Sequence, residues 1–108
     1  MKNWSEILIS HFGEYESREK LEVWEVTKSL LSKDENIKGE VIFIAPYGVW
    51  LDINMNFPAL IETIVLSEDL NEYVVGTFID AKVSGIRDAK RQIYLHQEEW
   101  PFKINDTL

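Results

Sequence analysis

Residues Gly39 to Glu62, GEVIFIAPYGVWLDINMNFPALIE, decide the fold class. The run Glu40-Val41-Ile42-Phe43-Ile44 is rich in the β-branched and aromatic types that suit a pleated surface. Pro46-Tyr47-Gly48 interrupts it, because proline has no amide to give a ladder and glycine tolerates a bend. Strict alternation follows: Val49, Leu51 and Ile53 point one way, Trp50 and Asp52 the other. After the polar loop Asn54-Met55-Asn56 comes a third run, Ala59-Leu60-Ile61. Three short strands this close together predict a small β-meander that curls at its first connection.

Beyond Glu62 the same grammar continues. Ser67-Glu68-Asp69-Leu70-Asn71-Glu72 reads as a polar turn or one helical turn, and Tyr73-Val74-Val75-Gly76 leads into a fourth strand. In that strand Ile79, Ala81 and Val83 face inward, with Phe78, Asp80, Lys82 and Ser84 outward. Arg87-Asp88-Ala89-Lys90 makes a turn. A fifth strand then points Ile93 and Leu95 in and Tyr94 out.

The segment before Gly39 has a different period. Asn3-Trp4-Ser5-Glu6 has the form of a capping box, in which the Asn3 side chain accepts from the third helical amide and Glu6 reaches back. Trp4, Ile7, Leu8 and Phe12 share one helical face, and Gly13 is a stop. A second helix is predicted to begin after Ser17 and run to about Ser32, with Leu21, Trp24 and Leu31 on one stripe, widened by Val23 and Leu30. Glu19 and Glu22 near its start and Lys28 and Lys33 near its end complement the helix dipole. Lys33-Asp34-Glu35-Asn36 is a charged turn too short for a flexible linker, so the helices pack on the barrel. The expected division is a helical extension over 1–38, a β-barrel over 39–97 and a tail over 98–108, in which Trp100-Pro101-Phe102 is suited to dock on the body.

Taken in order, Gly39-x-Val41, Ile44, Tyr47-Gly48-Val49-Trp50-Leu51-Asp52-Ile53 and Ala59-Leu60-Ile61 resemble the signature of the S-one RNA-binding domain, the repeat of ribosomal protein S-one. Val75-Gly76 through Leu95 is similar to the second half of that signature, so the resemblance covers about the last two-thirds of the chain. It implies a mainly β fold, a five-stranded OB-type barrel, here with one or two N-terminal α-helices packed on it. The resemblance also implies that Tyr47 and Trp50 belong to an RNA-contacting patch. The sequence departs from the family at Glu62, where a histidine is usual, at Gln92, where a basic residue is usual, and at Arg87, where an acid is usual.

Composition sets limits on that reading. The chain of 108 residues fits one domain. It has no cysteine, hence no disulfide and no thiolate zinc site. The polar start and the lack of a long apolar run argue against a signal peptide or a membrane span, so a cytoplasmic protein is expected. The formal net charge is −8, from 11 basic and 19 acidic residues. Residues 1–38 carry −2 and residues 39–108 carry −6. A protein that tracks phosphates draws much of its affinity from Lys and Arg, so extensive backbone binding is disfavoured.

Trp50, Phe78 and Tyr94, with Tyr47 at the bend, are aromatics on the outer face. Such rings are either covered by another element or used by a ligand; unpaired bases stacked on OB-type faces contribute about 1–3 kcal/mol each. The N-terminal helices, with Trp4, Phe12, Trp24 and Leu31, are the available cover. Arg87, Lys90 and Arg91 are the one cationic cluster near the barrel. Tyr47, Trp50, Tyr94, Arg87, Lys90 and Arg91 are therefore the candidate contacts for single-stranded RNA. The alternative function is a protein-binding or antidote-like domain, with the same aromatics anchoring a basic protein and the acidic rim steering it. Enzymatic activity is not expected: nothing in the sequence sets a serine or carboxylate beside His11 or His96. Asp52 and Glu62 fall on neighbouring strands, but acid pairs are commonplace on an acidic surface. No metal or cofactor motif occurs.

Overall fold

β1 (Asn36–Ala45) and β4 (Phe78–Arg87) are the two long strands, and each is bent so that it serves two neighbours. In the computed structural model, which describes residues 3–99, the first half of β1 pairs with β4 (Asn36↔Lys82 to Glu40↔Phe78). Its second half pairs with β2 (Gly48–Asp52), from Glu40↔Asp52 to Ala45↔Gly48. A register shift between Val41 and Phe43 turns the strand from one partner to the other. Such a bulge adds twist, as closing a small sheet demands. β4 shifts likewise between Val83 and Gly85, within its pairing with β5 (Gln92–His96).

β2 continues into β3 (Pro58–Glu62) through a loop in which Asn54 and Asn56 both adopt positive φ. Asparagine tolerates that region better than other side chains. A parallel pairing of β3 with β5 (Ala59↔Ile93 to Ile61↔Leu95) closes the barrel in the order β1-β2-β3-β5-β4. The expected five-stranded OB-type barrel is thus the observed fold. Inward positions follow the predicted alternation: Val49, Leu51, Ala81, Val83, Ile93 and Leu95 are all buried. β1 opens at Asn36, three residues before Gly39, because the turn after α2 pairs at once: Asp34 N–H donates to the Val83 carbonyl and Val83 N–H to the Glu35 carbonyl.

α1 (Trp4–Phe12) begins at the predicted capping box. Glu6 N–H donates to Asn3 Oδ1 (2.9 Å), and Asn3 N–H donates to Glu6 Oε1 (3.0 Å). Gly13, at φ 77°, ends it. The second helix differs from expectation. A three-ten turn occupies Arg18–Lys20, and the α-helix proper, α2, is Leu21–Leu30. The stripe is also narrower. Trp24 and Thr27 are buried and Leu31 half-buried, but Leu21, Val23 and Leu30 face solvent. The largest contact of α2 with the barrel is made by Trp24, which lies edge-on to the fully buried Phe57, with centroids 4.9 Å apart. Trp24 Nε1 also donates to Asp88 Oδ1 (2.6 Å), joining α2 to the β4–β5 turn (Asp88–Lys90). That bond, and then Lys28 beside it, lowers the Asp88 carboxyl below its ordinary value.

The segment Ser67 to Tyr73 is held by Gln97, whose Oε1 accepts from Ser67 N–H and from the Tyr73 hydroxyl. Glu98 N–H donates to the Val65 carbonyl, so the start of the tail lies on the body. Trp100-Pro101-Phe102 lies outside the described residues. No described helix is long and apolar enough to cross a membrane.

Candidate nucleic-acid interface

Alternation along β2 sends Trp50 and Asp52 to the outer face, and α1 lies along that face. At one end of α1 the Trp4 indole stacks on Trp50, with centroids 5.8 Å apart and planes 10° from parallel. At the other end His11 Nε2 and Asp52 Oδ2 share a hydrogen bond of 2.8 Å. Leu8, between them, is fully buried. The i, i+4 spacing of Trp4 and Leu8 and the i, i+2 spacing of Trp50 and Asp52 bring these groups into register.

Three rings form one cluster. Trp50 Nε1 donates to the Tyr47 hydroxyl (3.0 Å), and Tyr47 stands edge-on to both Trp50 (6.3 Å) and Trp4 (6.5 Å). Burial raises the Tyr47 hydroxyl above its ordinary pKa, while the bond from Trp50 acts the other way. Trp50 is 2% exposed, whereas Trp4 and Tyr47 are each 39% exposed. This corrects the expectation that Trp50 offers its ring to a ligand: α1 covers it, and the accessible rings are Tyr47 and Trp4. Sequence reasoning gave Trp4 only the role of cover. Its spacing from Leu8 was legible, but not which barrel ring it would meet.

Trp50, Leu60 and Tyr94 are cross-strand neighbours in one outward row. Leu60 is buried and Tyr94 half-buried. Tyr15, just after α1, is also buried; its hydroxyl is raised above its ordinary pKa chiefly by burial, opposed by a hydrogen bond with Gln92. Tyr94 thus belongs to a face largely roofed by the chain's own leading segment. Phe78 does not: at 64% exposed it has no such cover.

The candidate residues divide between the two ends of the face. Gly48 pairs with Glu62 and Asp52 with Pro58, so Tyr47 lies at the Glu62 end. Ala59 pairs with Ile93, which puts Arg87, Lys90 and Arg91 at the Pro58 end. Four residues of strand, about 13 Å, separate the two sets. Arg87 and Lys90 are exposed. Arg91 is half-buried, and its Nη1 donates to the carbonyls of Tyr15 (3.1 Å) and Ser17. Its role is therefore internal.

Two further expectations are corrected by the same register. Asp52 and Glu62, on neighbouring strands, lie at opposite ends of them and form no acid pair. Both histidines do have polar neighbours. His11 meets Asp52, and His96 Nδ1 lies 2.7 Å from Ser84 Oγ with Asp34 Oδ1 3.7 Å from Nε2. The second distance exceeds a hydrogen bond; His96 is a buried polar link between β4 and β5. Among the described residues no group of three or more His, Cys, Asp or Glu side chains is arranged to hold a metal ion.

No family model matches the chain, and no curated protein sequence does. Solved structures do. An uncharacterized protein of Methanocaldococcus jannaschii superposes with a TM-score of 0.56 at 25% identity, covering 61% of this chain and 90% of its own. GSP13 of Bacillus subtilis gives 0.54 at 20% identity, covering 72% of each chain. RNase R of Mycoplasma genitalium, in complex with ribose methylated single-stranded RNA, gives 0.55 at 18% identity, covering 68% of this chain but only 14% of that one. These likenesses are of the fold, and at that level the resemblance read from Gly39 to Leu95 holds.

Proposed function

We propose that this protein is a non-enzymatic, weak single-stranded RNA-binding module whose stacking surface is the exposed pair Trp4 and Tyr47. The observation behind this reading is the three-ring cluster at the rim of an S-one-like barrel, with two of its rings half-open to solvent. A base laid on the outer face of Trp4 extends the stack that Trp50 begins. Stacking of this kind is sequence-tolerant, because every base has a π-face. The RNase R structure, 14% of whose chain superposes on this one, was solved with single-stranded RNA, and this supports the same ligand class here.

Magnitudes favour binding on top of α1 over its eviction. Exposing Leu8 costs roughly 1.5–3 kcal/mol, and separating Trp4 from Trp50 another 0.5–1.5, roughly. The His11–Asp52 bond adds to this. One stacked base returns about 1–3 kcal/mol, so a single base does not repay the displacement. Trp4→Ala is expected to weaken binding of a fluorescein-labelled oligouridylate by roughly 5- to 150-fold at low salt, the equivalent of one stacked base. Anisotropy titration reads this, with circular dichroism as the folding control. Tighter binding by the variant would instead make α1 a lid over Trp50 and overturn the assignment of Trp4.

A second reading rests on a separate surface. Val74, Val75 and Phe78 are each more than half exposed, and Phe78 is paired in register with Glu40 and followed by Asp80. An apolar anchor rimmed by acids suits a basic protein segment. If this surface is used, Phe78→Ser abolishes low-salt retention of a lysine-rich peptide bearing one large apolar residue. Equal retention by both proteins removes the reading.

A further inference from the structure

Ser17 is a junction. Its carbonyl accepts from Arg91 Nη1 and also from Lys20 N–H (3.1 Å), the bond that closes the three-ten turn Arg18–Lys20. Arg91 reaches it from a strained backbone, with φ at 53° in the left-handed region that side-chain-bearing residues seldom adopt. Its guanidinium, also bonded to the Tyr15 carbonyl, ties residues 15–17 to the β4–β5 turn.

The clamp brings together charges that the sequence keeps some seventy positions apart. Through Arg91, the segment that leads into Arg18 and Lys20 is tied to the turn that carries Arg87 and Lys90. Among the described residues none of these four is in an ion pair. The acid within the turn, Asp88, is bonded to Trp24 and Lys28 on the α2 side. Glu14, Glu16 and Glu19, on the same connector, are the opposing charges; with Asp88 they make four acids against five cations when Arg91 is counted, in a chain of formal charge −8. The cluster lies at the His11 end of α1. The nine residues of α1, about 13 Å, separate it from Trp4.

We infer that Arg18, Lys20, Arg87 and Lys90 form one phosphodiester-binding surface for a single strand whose base stacks on Trp4, with Arg91 as its positioning residue. This rests on the RNA-binding reading above and adds where the backbone lies. It also gives the leading segment a constructive part: docked by Arg91, it supplies half of the cations.

The test is a salt titration of the full chain with two labelled twelve-residue probes, an oligouridylate and an abasic phosphodiester strand. For single strands log K falls with log salt by about 0.7 per phosphate neutralised. The double variant Arg18→Gln/Lys20→Gln is expected to flatten the slope by about 1.4 for both probes, while Lys38→Gln, whose lysine is paired with Asp80, leaves it unchanged. Arg91→Ala is expected to weaken binding in the wild-type background and to add nothing in the double variant. An unchanged slope in the double variant, with wild-type binding to the oligouridylate intact, overturns the surface and leaves the stacking reading standing. Loss of oligouridylate affinity in Trp4→Ala with abasic binding retained locates the two contributions separately. Absence of wild-type binding to either probe overturns both. A further, additive loss from Arg91→Ala makes Arg91 a direct contact and overturns its positioning role.

Discussion

Trp50→Ala is expected to lower the thermal midpoint by on the order of 15–30 °C. Truncating a buried tryptophan costs about 3–5 kcal/mol, through lost transfer energy and the cavity left behind. A domain of this size has only about 5–15 kcal/mol to lose, and each kcal/mol shifts the midpoint by roughly 4–8 °C. Trp50 is 2% exposed, stacks on Trp4 and donates to the Tyr47 hydroxyl, so α1 and the β1–β2 turn lose a partner at once. Trp4→Ala, at a half-open position, is expected to cost much less. Differential scanning calorimetry on the pair gives the answer. A Trp50→Ala midpoint within a few degrees of wild type would mean that α1 does not pack on β2, and the stacking surface built on that contact would go with it.

Gly48→Ala is expected to cost at least the ~1–3 kcal/mol typical of overpacking, read as a lower urea midpoint at unchanged slope. Gly48 opens β2 opposite Glu62, and a Cβ there would collide with the carbonyl oxygen of Ile61 and lie 3.1 Å from Glu62 Cα. Both obstacles are backbone of β3, so relief requires moving a strand that is hydrogen-bonded on both sides. The same substitution at Gly39 meets side-chain atoms of Ile53 and Leu51 and no backbone of a neighbouring strand. If Gly48→Ala is neutral, the tight approach of β2 to β3 at the Tyr47 turn is wrong.

What the sequence made legible was what is encoded locally. The capping box at Asn3 and Glu6 is a matter of three residues, and it forms as read. The alternation of Val49, Leu51, Ile93 and Leu95 has period two and needs no partner to be recognised, so the barrel interior follows from it. Whether the Trp50 ring is open or covered depends on a contact between positions 4 and 50, which no local pattern carries. The bulge at Ile42 is equally silent, since a register shift leaves the residue types of β1 unchanged. The second helix misled for a different reason. Leu21, Val23 and Leu30 look like core by period, yet α2 packs through the narrow stripe of Trp24, Thr27 and Leu31, which leaves those residues in solvent. Arg91 looked like one more cation in a basic turn; only the carbonyls of Tyr15 and Ser17, far away in the chain, reveal its use.

The parallel seam between β3 and β5 has a kinetic consequence. Ala59 finds Ile93, and Asn36 finds Lys82, across long intervening loops. Closing such loops is entropically uphill before any contact rewards it, so nucleation should be slow, in the millisecond-to-second range typical of small barrels. During translation β3 must wait with an unpaired ladder until residues 92–96 leave the ribosome. Glu62, a charge at the end of that strand, is the kind of residue that blunts a waiting edge.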